Sequence, residues 1–175
     1  AVKIPEGYAE DKYFNQSAYL YLPLAPRTTY TLTIDPDMVD QFGNKLGEST
    51  TITYKTGDYS PRLDFSQGIG LLESQGPASI PMGIRNVKSL EARIYPIPRD
   101  QIVPFLTKYN TYDDKQSPPS STPKSVSIKG NSKDNELQEA TLPMAGGPGA
   151  YYVTLHSPSQ IRQCTAVVEV TDIGL

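Results

Sequence analysis

One histidine, His156, and one cysteine, Cys164, are all this 175-residue chain offers for His- or Cys-centred chemistry. A Ser-His-Asp triad or a Cys-His pair would have to use that histidine, and the cysteine stands close to it in sequence. Neither lies in a recognisable nucleophile motif. His156 follows the alternating run Tyr151–Leu155 and precedes Ser157-Pro158, which makes it a surface histidine at a strand end. Cys164 opens an apolar alternation, the setting of a buried and inert thiol. Zinc needs more sulfur and imidazole ligands than one Cys and one His can supply.

Hard cations are the next possibility. Asp35, Asp37 and Asp40, followed by Asn44 and Glu48, bring several oxygen ligands into a short stretch. The third ligand position holds Val39 and the sharp-turn glycine position holds Asp40, so a solvated turn with Asx-type hydrogen bonds accounts for the stretch better. Asp113-Asp114 and Asp134-Asn135-Glu136 read as exposed loop charge. Gly146-Gly147-Pro148-Gly149 has the glycines of a phosphate cradle but precedes a strand and lacks the Lys-Ser/Thr pair, so it is a turn. Ser117–Pro123 reads as a surface loop rather than a proline-rich ligand. No catalytic, metal or cofactor-binding residue is expected.

The elements around these residues are strands. The chain is organised about Tyr30–Gly57. Tyr30, Leu32 and Ile34 alternate with Thr31 and Thr33, which predicts a strand with one buried face. Ile52 and Tyr54 alternate with Thr51, Thr53 and Lys55 to give an antiparallel partner. Between them, Gly43 and Asn44 are expected to supply the left-handed backbone of a tight reversal. Before the pair, Tyr13–Phe14 and Tyr19–Leu22 are strand candidates. After it, Gly57-Asp58-Tyr59-Ser60-Pro61 breaks the pattern, and Tyr59, Pro61 and Leu63 mark a junction between modules.

Beyond the junction, strands are expected at Gly70–Glu73, Ile80–Ile84, Leu90–Tyr95 (stopped by Pro96 and Pro98), Ser125–Lys129, Glu136–Leu142, Tyr151–Leu155 and Cys164–Thr171. One helix is expected over Asp100–Tyr109. Asp100 is its N-cap, Ile102, Phe105, Leu106 and Tyr109 form one face, and Pro104 is tolerable only in the first turn. Gly149 closes the turn before the penultimate strand.

Sixteen Pro and thirteen Gly favour short elements joined by turns, and twelve Tyr with many Thr, Val and Ile favour strands. The expected class is all-β: two tandem antiparallel β-sandwich modules of Ig or fibronectin-III type, with one short helix in the second. A net charge of −3 with interspersed signs leaves no electrostatic footprint for nucleic acid or anionic membrane. No apolar run is long enough to span a bilayer. The start at Ala1 suggests a piece of a longer protein, with localisation signals outside it.

Two patterns resemble one family. Leu24-Ala-Pro, Thr29-Tyr-Thr-Leu-Thr-Ile, Asp40-x-x-Gly43-Asn44-x-Leu46 and Tyr54-Lys-Thr-Gly57 resemble the second half of a bacterial Ig-like module found near the amino terminus of bacterial alpha-2-macroglobulins. Ile80-Pro-Met-Gly-Ile-Arg-Asn86-Val87, Leu90–Tyr95, Gly149–Leu155 and Val168–Leu175 are similar to a macroglobulin-like domain of those proteins. The resemblance implies residues 1–58 as a partial Ig-like module, 59–63 as a short linker and 64–175 as the macroglobulin-like domain.

It further implies a non-catalytic segment of a protein that entraps proteases at the cell envelope, often anchored through a lipoprotein cysteine outside this stretch. In that family a bait region is cleaved, the molecule rearranges, and a Cys-x-Glu-Gln thioester can bind the attacker. Cys164 is followed by Thr165-Ala166-Val167 and does not match. Expected partners are the other domains of the parent chain and, for the whole protein, trapped proteases. The alternative is an adhesive or carbohydrate-binding surface module, using Tyr19/Tyr21 or Tyr151/Tyr152 to stack on sugars.

Overall fold

The computed structural model describes residues 22–40, 42–65, 68–76, 78–110, 116–130, 133–144, 146–159 and 164–172. The expected strand at Tyr13–Phe14, all of the expected strand Tyr19–Leu22 except Leu22, which is not in a strand, and Asp113-Asp114 lie outside them. The chain divides into two compact units, Ala1–Asp58 and Tyr59–Leu175.

In the first unit, β1 (Thr29–Ile34) pairs antiparallel with β2 (Thr50–Lys55), Leu32 opposite Ile52 and Tyr30 opposite Tyr54. This register puts the apolar residues of both strands on one face. That face is not buried as the alternation predicts: Leu32 is 39 %, Ile52 51 % and Tyr54 60 % exposed. Alternation marks which residues share a face, but burial needs a second layer, and a two-stranded sheet supplies none by itself.

The second unit is a sandwich of a three-stranded and a five-stranded sheet, and all-β is its class. The smaller sheet has the order β3 (Arg62–Phe65), β5 (Ser79–Arg85), β8 (Gln138–Pro143) and is antiparallel. The larger contains β4 (Ile69–Glu73), β10 (Cys164–Thr171), β9 (Gly149–His156), β6 (Ser89–Ile97) and β7 (Lys124–Lys129), in that order. β4 runs parallel to β10 while the other pairs are antiparallel, so this sheet is mixed rather than purely antiparallel.

The main core lies between the sheets. Ala92, Ile94, Val153, Leu155, Ala166 and Val168 from one meet Leu63, Met82, Ile84 and Leu142 from the other. Each large aliphatic side chain buried here stabilises the fold by roughly 1.5–3 kcal/mol.

Two expectations change for physical reasons. Residues 62 and 63 are not linker: Leu63 lies in β3, opposite Ile84, and is 4 % exposed. Pro96 does not stop its strand, which continues to Ile97. β7 pairs with β6 only as far as Ile94, so Pro96 sits where no neighbour on that side needs its missing N–H. Pro81 in β5 likewise lies beyond Met82, the last residue paired with β3.

The helix is shorter than its pattern. A 3-10 turn at Arg99–Gln101 leads into α1 (Ile102–Leu106), and Asp100 caps nothing. Pro104 falls in the first turn, where its missing N–H costs nothing. Ile102, Phe105 and Tyr109 pack on the outer face of the five-stranded sheet over Ile97, Ala150, Tyr152 and Val167, making a second, smaller core.

Candidate functional site

The residues that could do chemistry are held apart by the sheet. Cys164 is the register partner of Leu155, so both point into the core between the sheets. His156 follows Leu155 and therefore projects from the opposite face. The Cys-His pair is not assembled. Burial pushes the Cys164 thiol up to about 11, which keeps it protonated and unreactive at neutral pH.

His156 is half-buried rather than a free surface ring. Its Nε2 shares a hydrogen bond of 3.0 Å with the Thr154 hydroxyl, which is itself 1 % exposed. Across the register stands Glu91. The Glu91 carboxylate accepts from the Arg93 guanidinium (3.1 Å) and the Ser125 hydroxyl (2.9 Å), and these bonds hold it below the usual carboxylate range. Burial, then the Arg93 charge, lowers the His156 pKa against the opposing pull of Glu91. These side chains satisfy one another across β6, β7 and β9. Each carboxylate oxygen and ring nitrogen named here is already engaged within the sheet, which is the signature of cross-strand stabilisation.

The acidic stretch of the first unit is used by its own backbone. Asp40 Oδ1 accepts from the Phe42 and Asn44 amides at 2.8 and 2.9 Å, and Oδ2 accepts from Asn44 Nδ2 at 2.9 Å. The Asn44 side chain is the largest cause of a lowered Asp40 pKa. Asp37 accepts from the Lys45 ammonium at 2.8 Å, and Val39 bridges to Lys45 through the backbone. Gly43 has φ 83° and donates to the Asp40 carbonyl at 3.0 Å. Asn44 has no positive φ; it holds the turn through its side chain and both backbone groups, all bonded to Asp40. The second left-handed residue is Gly47 (φ 81°), which the sequence reading missed. Among the described residues no three His, Cys, Asp or Glu side chains gather as a metal-binding group.

Gly149 opens β9 with φ 155°, and Tyr151 Oη donates to the Gly147 carbonyl at 2.7 Å to hold the preceding turn. Tyr152 is fully buried, edge-on to Phe105 at 5.2 Å and to Tyr109 at 6.1 Å. Tyr151 is half-buried against the main core. The proposed sugar-stacking face at Tyr151/Tyr152 is therefore interior packing; Tyr19/Tyr21 lie outside the described residues. Beside α1 an open apolar groove of about 320 Å³ is left between Leu106 and the edge residues Ile69 and Leu71, with Glu169 on its lining.

The junction residues are the best-organised polar feature. Tyr59 donates its amide to Asn135 Oδ1 at 2.8 Å and accepts from Asn86 Nδ2 at its carbonyl at 2.7 Å. Asn86 and Asn135 are both left-handed (φ 55° and 63°), a conformation asparagine tolerates better than most residues. Pro61 follows, and Leu63 enters the core.

No family model matches the chain, and no curated protein matches it. Solved structures do. Escherichia coli alpha-2-macroglobulin spanning domains MG0-NIE-MG1 aligns with TM-score 0.59 and 16 % identity, over 86 % of this chain and 52 % of that one. A Salmonella alpha-2-macroglobulin mutant aligns with TM-score 0.60 and 18 % identity, over 86 % of this chain and 9 % of that one. The fold is one that bacterial alpha-2-macroglobulins contain. The native conformation of the E. coli alpha-2-macroglobulin, from cryo-electron microscopy, gives TM-score 0.58 at 14 % identity, over 85 % of this chain and 10 % of that chain. The chain thus spans about half of the domain fragment and about a tenth of the larger alpha-2-macroglobulin chains. The resemblance read from its motifs and the likeness of its fold point to the same proteins.

Proposed function

We propose that this chain is a non-catalytic structural segment of a bacterial alpha-2-macroglobulin-like protein that entraps proteases at the cell envelope. The observation that carries the reading is the likeness to alpha-2-macroglobulin over 86 % of the chain, through both compact units. Its job is scaffolding. A partial Ig-like module (1–58) and a macroglobulin-like domain that begins with β3 at Arg62, joined through Tyr59–Pro61, hold their place in a shell that closes around the attacking protease. Proteases are targets of the whole protein, and the partners of this segment are the other domains of the parent chain.

The setting is extracytoplasmic, with a lipoprotein anchor supplied elsewhere in the parent. Among the described residues no helix is long and apolar enough to cross a membrane. One fold neighbour is a Salmonella alpha-2-macroglobulin reacted with methylamine. Any comparable reactive group of the parent lies outside this chain, which lacks the Cys-x-Glu-Gln pattern.

Determining the gene sequence on both sides tests the proposal. A reading frame that continues into further macroglobulin-like domains supports it, and the purified parent then shields a trapped protease from a large inhibitor while leaving it active on small substrates. A frame that joins this segment to a catalytic or adhesin array overturns it.

A further inference from the structure

The connector between the two units is gripped from each side by its own unit. In the first, Arg27 takes the Gly57 carbonyl on its backbone amide (3.0 Å), and its guanidinium pairs with the Asp58 carboxylate. In the second, both backbone groups of Tyr59 are bonded to asparagine side chains. The two asparagines are also bonded to each other: Asn86 Oδ1 accepts from the Asn135 amide at 2.6 Å, and Asn86 Nδ2 donates to Asn135 Oδ1 at 3.0 Å. Arg85 stacks its guanidinium 4.7 Å from the Tyr59 ring centroid and reaches the Ser60 carbonyl at 3.3 Å.

We propose that Asn86 and Asn135 form a clamp that fixes the backbone of Tyr59 and Ser60, the first residues of the second unit, to the body of that unit. The chemistry demands asparagine at position 86, whose Nδ2 donates and whose Oδ1 accepts, while Asn135 accepts two bonds at its Oδ1. Each position has a left-handed backbone, and position 86 needs a side-chain donor and acceptor together. At position 86 glycine meets the first requirement alone, and aspartate lacks the donor. The clamp has a firm base. Val87, next to Asn86, is fully buried, and Gly130 lies so close to the Val87 carbonyl that no side chain fits there. This inference does not depend on protease entrapment.

The test is backbone 15N relaxation on the full 175-residue chain. Tyr59 and Ser60 are expected to show order parameters of about 0.85, like the strands. The double substitution Asn86→Gly, Asn135→Gly keeps the left-handed backbone and deletes both amides. In it the two order parameters should fall below about 0.6, and chymotryptic cleavage after Tyr59 should accelerate about tenfold or more. Amide exchange in β9 and β10 should stay unchanged. The proposal is overturned if the unaltered chain already shows loop-like values at Tyr59 and Ser60, or if the folded double variant leaves both readouts where they were. Should the double variant lose its β9 protection, amide exchange of Tyr59 in the unaltered chain decides: slow exchange sustains the clamp, and exchange at the unprotected rate ends it.

Discussion

Gly130 shows how much one hydrogen atom can matter in this fold. It donates its amide to the Lys88 carbonyl at 2.9 Å, and a Cβ added there would strike the Val87 carbonyl, which is backbone and cannot swing aside. Gly130→Ala is therefore expected to cost about 1–3 kcal/mol in urea unfolding, the usual range for overpacking. An unchanged midpoint would show that the turn after β5 shifts freely. Cys164 gives a prediction in pH. Its thiol is raised from 9.0 to about 11 by burial, so between those values the unfolded chain has lost a proton that the folded one keeps. Stability must fall as pH rises through that window. At pH 8, alkylation by iodoacetamide should be slow in the native protein and rapid in denaturant; fast native labelling would contradict the buried placement.

At the scale of elements, α1 is a helix made by packing. Five residues with a proline in the first turn and no side-chain cap have little helical tendency of their own. What holds α1 is the aromatic contact of Phe105 with Tyr152, and Tyr109, whose hydroxyl donates to the Gly68 carbonyl at 3.2 Å. Phe105→Ala should cost about 1–3 kcal/mol, whereas Val103→Ser, at a residue 70 % exposed, should stay within about 0.5 kcal/mol. Near-UV circular dichroism should lose tyrosine intensity in the first variant only. Equal effects would mean that the buried face of α1 is assigned wrongly. The helical spacing of Ile102, Phe105 and Tyr109 was legible in the sequence. The start of the helix was not, because Asp100 looks like a cap locally while the chain enters through a 3-10 turn.

For the whole molecule, the second unit contains its own two cores and should fold without the first. Residues 59–175 produced alone are expected to keep a cooperative thermal transition; a molten fragment would refute this. Leu63 separates core from linker. Leu63→Ala should destabilise the chain by about 2–4 kcal/mol, as truncation of a buried leucine does, while a linker residue would move stability by no more than about 0.5 kcal/mol. Arg62–Phe65 does not stand out as a strand in the sequence because its polar–apolar alternation is only four residues long and directly follows a proline. Only the facing row Met82–Arg85 makes them one.

The sequence by itself determined which residues alternate, where prolines and glycines cut the chain, and that seven strands and a helical turn follow Leu63. These are local matters, set by side-chain period and backbone preference over a few residues. The tertiary structure decided what depends on distant neighbours. It buried Tyr152 and left Leu32 and Ile52 exposed. It ran β4 parallel to β10, turned Cys164 and His156 to opposite faces, and brought Asn86 and Asn135 together on Tyr59. Alternation carries no information about which strand will lie alongside, because pairing is settled by the closure of a core between residues far apart in the chain.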